Sequence, residues 1–583
     1  MMKLISFFII LIFFNYCSGN SGKETLPAKN KYDQLGKAHL IRNPNYSFLY
    51  NGGFNLTHFE KILEIVETKY YDSSRINYPM GYADAIADTV ELLPIKVLFF
   101  PEEYYLKYKT DKTKIPEGEM IKVTPDSKYV FIKTNIKNKI NNDIENADDR
   151  YIERYKGRME IHDFLSFMNL NKSDLEHTLA YIYKNKTKFK SQSSDESFLN
   201  EIVLNATNGF LSSLDPNSKV FNKNFKSADK VKIQGVGLLL RKENSKIIVE
   251  AVLGNPTEME KEIESGDIIS KVEGENVDDM PVSMVMKMLQ GANDSKVSID
   301  IIKKESNESV NVILKRQQIN FTNVTSRLYD NLAYIKFQSL MKTEDFDTVA
   351  KVKEEFQKLE ILALKKNIVL KGLIIDIRNN TGGYLDLSIS LADLFLSKGV
   401  IGTMNIANKT KEDFFAKVPA ITNLPIGIMV NSRTSSGAEL FAGSLQDHKR
   451  AILLGERTFG IGTIQKLFDI PGTPDYFLKI TNGIFLLPSG RSTQIRGLEP
   501  NIKISAEKDG SFPEKFREAN RYRHNPYFNE LNENRLNLNL TEIENWVKSN
   551  GSADKNISKS QKDYFLYRAI DHFNAYLNTH FKN

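Results

Sequence analysis

Four short apolar runs constrain the fold of this chain more than any other feature. LAYIKF (332–337), GLIIDIR (372–378), IGIMVNS (426–432) and AILLG (451–455) are almost continuously apolar. Runs of this length suit strands covered on both faces, as in parallel sheets whose crossover helices pack over them. The intervals hold a long segment of helical character, read as Glu344–Lys366, and two shorter ones. Residues 319–505 are therefore expected to form an α/β layer with crossover connections.

The flanking regions differ in texture. Residues 41–220 read as mainly helical: Phe59, Ile62, Leu63, Val66 and Tyr70 share one face, as do Leu175, Leu179 and Ile182, and Phe198, Ile202 and Val203. KTNIKNKINNDIENADDR within this region reads as an exposed loop. Residues 225–318 change to short strands, from GVGLLLRK to SVNVILKRQ, with one short helix in PVSMVMKMLQ. Residues 506–583 are polar with aromatic anchors such as Trp546, Tyr564 and Phe565, expected as helices packed on the rest. The expected fold class is multidomain α+β, with helical regions flanking a small α+β module and an α/β core.

The 583 residues exceed what one core supports. A net charge of +6, with acids and bases interspersed, gives no basic block for nucleic acid. The single cysteine, Cys17, excludes an intrachain disulfide. Eight histidines without HExxH or CxxC spacing point to no zinc site and no cofactor.

The start of the chain, MMK followed by LISFFIILIFF (Leu4–Phe14), has the form of an export leader and is too short to span a bilayer. Residues 1–17 are read as a signal peptide and 18–40 as a polar tether. Cys17, directly after the apolar run, sits where bacterial lipoproteins carry their lipid acceptor, but Tyr16 replaces the usual small residue. Two readings stand: a lipidated Cys17 that attaches the protein to a membrane, or an unmodified leader residue. Either way the expected location is outside the cytoplasm, periplasmic or membrane-anchored.

Six phrases occur in a telling order: SSLDPNS, GVGLLL, SGDIISKVEGENV, LIIDIRNNTGG, SSGAELFAGSLQDHKRAILLGERTFGIGTIQ and LPSGRSTQIRGLEPNI. Over about residues 205–505 the chain resembles the tail-specific, or carboxyl-terminal processing, serine proteases of the S41 type. The resemblance implies a PDZ domain at 225–318 and a ClpP/crotonase-like protease core at 319–505. It also implies protein or peptide substrates with apolar C-termini, and a serine–lysine dyad whose lysine is steered by a glutamine.

Ser436 matches the nucleophile. It lies between a buried strand and the helix GAELFAGSLQDH, where amides and the helix dipole favour an oxyanion. Ser436-Gly437-Ala438-Glu439 is also a capping box, so the serine could simply end a helix; the two roles can coexist. By resemblance, the turn around Arg378, Asn379, Gly382 and Gly383 and the amide of Gly437 supply the oxyanion donors. Glu439 supports the turn, and Asp447 matches an acidic, structural position. His448 lies ~18 Å along a helix from Ser436, too far for a base.

The lysine belongs 25 residues after the nucleophile, where Ile461 stands; Gln465 is retained. Isoleucine accepts no proton. Losing one member of a catalytic triad costs about 10⁴–10⁶ in kcat. Lys466 is the nearest amine, but strand alternation turns it away unless a bulge intervenes. Two readings follow: an impaired homologue that binds tails, or an active endopeptidase with a relocated base. In the PDZ-like region Gly235, Val236, Gly237 and Leu238 form the expected carboxylate loop, with Leu238, Leu240, Met286 and Leu289 as pocket or core residues.

Overall fold

The computed structural model describes residues 44–581 except 92, 94–96, 135–167, 190–193, 223–233, 244–245, 253–262, 264–265, 279, 281, 305, 319–323, 343–345, 408–409, 506–517, 519–537 and 552–563. The leader, Cys17, the tether and nearly all of the asparagine-rich loop lie outside the described residues. No helix among those described is long and apolar enough to cross a membrane.

Helix α1 (Leu56–Lys69) starts at Asn55, whose side chain accepts the Thr57 N–H at 2.9 Å. Its Phe59, Ile62, Leu63 and Val66 are almost wholly buried. They pack with α2 (Tyr78–Glu91), α3 (Lys172–Lys184) and α4 (Asp195–Leu214) in one core. This region also holds a small sheet that the sequence reading did not include. Val97–Pro101 (β1), Glu119–Ile121 (β2) and Tyr129–Lys133 (β3) form an antiparallel sheet, ordered β1-β3-β2. These strands are three to five residues long, too short to show a period of two, and only their pairing makes them strands.

Lys219–Asn222 (β4) leaves this region and pairs Phe221 with Phe477. The small module follows in the sequence. Its strands β5 (Leu238–Glu243), β6 (Lys246–Val252), β7 (Ile268–Val272), β8 (Lys296–Ile302) and β9 (Ser309–Lys315) form a sheet ordered β9-β8-β7-β6-β5. Helix α5 (Val282–Leu289) buries Val285 and Leu289 in the same cluster as Leu238 and Leu240.

The core contains the expected parallel sheet. Strand β10 (Val324–Tyr329) is antiparallel at one edge. Then follow β11 (Leu332–Phe337), β12 (Gly372–Asp376), β15 (Ile426–Val430), β16 (Ala451–Gly455) and β19 (Ile502–Lys503), all parallel. Helices α6 (Thr348–Lys365), α7 (Leu385–Asp393) and α8 (Gly437–Asp447) contribute to the hydrophobic cluster over one face. The long helix starts at Thr348 rather than Glu344 because Asp347 caps it, accepting the N–H groups of Val349 and Ala350. Of the C-terminal helices α9 (Leu540–Asn550) and α10 (Tyr564–His580), α10 covers the other face. Phe573 fits there because Gly372 and Gly427 leave room; a Cβ on Gly372 would come within 2.7 Å of its ring.

A second, antiparallel sheet was not foreseen. It comprises β13 (Val400–Ile406), β14 (Thr410–Phe415), β17 (Thr463–Ile470) and β18 (Thr473–Leu486), ordered β14-β13-β18-β17, with β4 paired to β18. Ile470, Leu478 and Ile480 of this sheet share the hydrophobic cluster of α1 and α4, so the N-terminal region and the second sheet are one packed body. The tip of the β17–β18 hairpin is gripped from α1. Lys61 Nζ donates to Pro471 O at 3.0 Å, and His58 Nε2 lies 3.3 Å from Gly472 O. His58 Nδ1 accepts the Asn55 N–H, so Nε2 carries the ring proton.

Burial chiefly, with Lys61 adding, lowers the His58 pKa below its ordinary 6.5. The folded chain therefore resists taking up a proton that the unfolded chain accepts. Its contribution to stability is intact above 6.5 and is lost progressively as pH falls below that toward the lower folded value. The melting temperature is expected to fall between pH 7 and pH 5. In His58→Gln that fall should be smaller, as read by calorimetry.

Candidate active site

The loops after β12 and β15 are laced together. Asn379 and Asn431 exchange two hydrogen bonds of 2.9 Å, N–H to Oδ1 and Nδ2 to Oδ1. Thr434 donates to Ile377 O, and the Ser435 N–H donates to Asn380 O at 3.0 Å. Both loops lie at the carboxyl ends of parallel strands, where open α/β sheets place their ligands.

Ser436 follows at the mouth of α8, half-buried among buried neighbours. Its φ of +57° and ψ of −124° lie far from the extended backbone of an ordinary N-cap. The Glu439 side chain reaches back to the Ser436 N–H at 2.8 Å, as in a capping box. A non-glycine residue held at such a φ costs about 1–3 kcal/mol, and such strain concentrates at functional turns. Between the cap and nucleophile readings, this backbone favours the second.

Gly382 lies directly against this elbow: a Cβ there would fall 2.7 Å from Gly437 N and 3.0 Å from Ser436 Cβ. The oxyanion expectation needs one correction. The Gly382 N–H is spent on Asn380 Oδ1 at 2.8 Å. The amides of Gly383 and Gly437 have no partner among the described residues; that of Gly437 opens a helix and has none within it. These two are the available donors.

Glu439 ties the elbow to the stretch around Ile461. The Glu439 side chain is fully buried and accepts the N–H groups of Ser436 (2.8 Å), Gly460 (2.9 Å) and Ile461 (2.8 Å) and the Thr458 hydroxyl (2.5 Å). Ser436 and Ile461 share one oxygen, Oε2, so their amide nitrogens lie within twice that length of each other. The half-buried Ile461 is therefore beside the serine. Gln494 Oε1 accepts the Gly462 N–H and Thr493 donates to Ile461 O, so the turn is held on both sides.

Gln465 Nε2 donates to Thr463 Oγ1 at 2.8 Å. A bulge does occur between Ile464 and Gln465. Lys466 is nevertheless solvent-exposed, its ammonium 5.8 Å over the Phe468 ring. His448 ends α8 and its Nε2 meets Val400 O at 2.7 Å, away from the serine. Asp447 is buried against Arg491, whose Nε and Nη2 it accepts at 3.1 and 2.8 Å. Among the described residues no group of His, Cys, Asp and Glu could hold a metal.

Thr458, Arg491, Thr493 and Gln494 went unread in the sequence. Their spacing from Ser436 carries no period, and only the TFG and RSTQ phrases flagged their segments.

In the small module β5 is an edge strand with α5 beside it. Gly237 has φ +72°, and the amides of Val236 and Gly237 have no partner among the described residues. Leu238, Leu240 and Leu289 are buried and Met286 is half-buried.

A serine at a strand-to-helix elbow, facing glycine amides at the carboxyl ends of a parallel sheet, defines a serine-hydrolase type of site. Residues 331–504 match the family model of peptidase family S41.

Two relatives extend the match. A carboxy-terminal-processing protease of Bartonella bacilliformis is 28% identical over 323 residues, covering 54% of this chain and 72% of that protein. A probable CtpA-like serine protease of Staphylococcus epidermidis is 27% identical over 343 residues, covering 57% of this chain and 65% of that protein. Among solved structures, a photosystem II D1 C-terminal processing protease is 23% identical, with a TM-score of 0.37, covering 57% of this chain and 89% of that one.

Proposed function

We propose that the chain is an exported, tail-specific member of the S41 peptidases that captures protein C-termini and hydrolyses them poorly. The observation that carries this is the oxygen shared by Ser436 and Ile461. It supports a reading in which a hydrocarbon side chain lies near the hydroxyl, where the mechanism needs an unprotonated amine to take up its hydrogen. An oxyanion pocket of Gly383 and Gly437 amides would still polarise a carbonyl, but the attack would lack its base. The bulge before Gln465 is the irregularity that a relocated base requires, yet the exposure of Lys466 speaks against that route.

Capture is assigned to the PDZ-like module. An extended tail would add to the free edge of β5, with its carboxylate on the Val236 and Gly237 amides and its last side chain toward α5. Secretion, through the leader of residues 1–17, and lipid attachment at Cys17 belong to the same proposal.

The test uses the full chain and an unstructured substrate with an apolar C-terminus. Little or no cleavage is expected. Ordinary turnover, abolished by Ser436→Ala, overturns the proposal. A labelled peptide with a free carboxylate should bind, and its C-terminal amide should bind less. Gly237→Val forces a branched residue into a left-handed backbone, a strain of about 1–2 kcal/mol. It should weaken capture by roughly tenfold in fluorescence anisotropy, where Ser436→Ala changes nothing.

A further inference from the structure

We propose that Asn217 is a positioning residue for Gln465, acting through the hydroxyl of Thr463. This rests on the reading of Ser436 and Gln465 as remnants of one site.

Asn217 belongs to the LDPNS turn that ends the N-terminal region, and it is 6% exposed. The turn is rigid. Asp215 Oδ1 accepts the N–H groups of Asn217 (2.7 Å) and Ser218 (2.9 Å), and Oδ2 accepts the Ser218 hydroxyl (2.7 Å). Ser218 Oγ in turn accepts the Thr481 N–H at 3.1 Å, fastening the turn to β18.

From this fixed base the Asn217 amide divides its two hydrogens. One goes to Oε1 of the buried Glu518 at 3.1 Å and the other to Thr463 Oγ1 at 3.4 Å. Thr463 Oγ1 also accepts Gln465 Nε2 at 2.8 Å. With two donors on its oxygen, the Thr463 hydroxyl is oriented as an acceptor toward the glutamine.

A competing acceptor lies close by. Thr481 stands directly opposite Gln465 in the β17–β18 register, so the two side chains share a face. Its hydroxyl is buried and without a hydrogen-bond partner. Asn217 thus decides which hydroxyl holds the Gln465 amide. It makes the end of the N-terminal region part of the site's geometry.

The experiment is a double-mutant cycle on the full chain carrying Ile461→Lys, read by the rate of Ser436 labelling with a fluorophosphonate across pH. Asn217→Ala and Thr463→Ala should each slow labelling about three- to tenfold, the worth of one neutral hydrogen bond. The pair together should cost no more than either alone. Additive losses, or no effect of Asn217→Ala, overturn the proposal. If the Ile461→Lys chain does not label at all, the reading of the site itself fails. Positioning is then judged in the otherwise unaltered chain by the ¹⁵N signal of the Gln465 side-chain NH₂, assigned by its disappearance in Gln465→Glu. That signal should shift in Asn217→Ala, and an unmoved signal overturns the proposal.

Discussion

Ile461→Lys is expected to speed the reaction of Ser436 with a fluorophosphonate by at least about a hundredfold, the lower bound of what a positioned base contributes. The turn that would carry the amine is held on several sides. The Ile461 N–H is held by Glu439, its carbonyl by Thr493, and Gly462 by Gln494. A lysine there would stand beside Ser436, Thr458 and Gln494, among buried neighbours that lower its pKa toward the neutral amine. Labelling in the variant should therefore rise with pH until that amine has lost its proton. Equal labelling of wild type and variant, with both chains folded, would mean that Ser436 has lost more than its base.

Glu439→Ala is expected to destabilise the chain by about 4 kcal/mol or more. It removes the acceptor of three amides and one hydroxyl in a fully buried place. Each orphaned buried donor costs about 1–3 kcal/mol. The measurement is urea unfolding, with loss of any Ser436 reactivity alongside, since the elbow and the Ile461 turn lose their common anchor.

The same residue carries a pH signature. Burial pushes the Glu439 carboxyl up to about 8, although Thr458, Ile461, Ser436 and Gly460 all pull it down. Between its ordinary 4.5 and about 8 the folded chain keeps a proton that the unfolded chain has released. Stability is thus fully present below 4.5 and falls as pH rises through that window. Glu439→Gln should flatten that slope; an unchanged slope would assign it to other groups.

The four longer parallel strands were legible because they are covered on both sides. LAYIKF and AILLG coincide with β11 and β16 to the residue. The helix after Ser436 was legible from its capping residues. Glu439 was read as support for that turn, three residues from Ser436 in sequence. Its bonds to Thr458, Gly460 and Ile461 span nineteen to twenty-two residues, and no local pattern encodes them.

The second sheet was illegible for a related reason. TIQKLFDI mixes charged and apolar residues along β17, and its register depends on pairing with β18 and on a bulge. Gly382 shows the limit at a single atom. A glycine suited to a close approach was evident, but whether its amide faced a ligand or Asn380 depended on a neighbouring rotamer.

The sequence by itself determined which side chains this site can contain: a serine at a helix mouth, two amide-bearing glycines, a glutamine, and an isoleucine without basicity. Covalent identity decides proton affinity, and no folding supplies a nitrogen to Ile461. Only the tertiary structure decided which groups meet: Glu439 between the two turns, Lys466 in solvent, and Asn217 of the N-terminal region against Thr463. Those contacts join residues up to 246 positions apart. Hydrogen bonds act over about 3 Å, so such meetings exist only once the chain has packed.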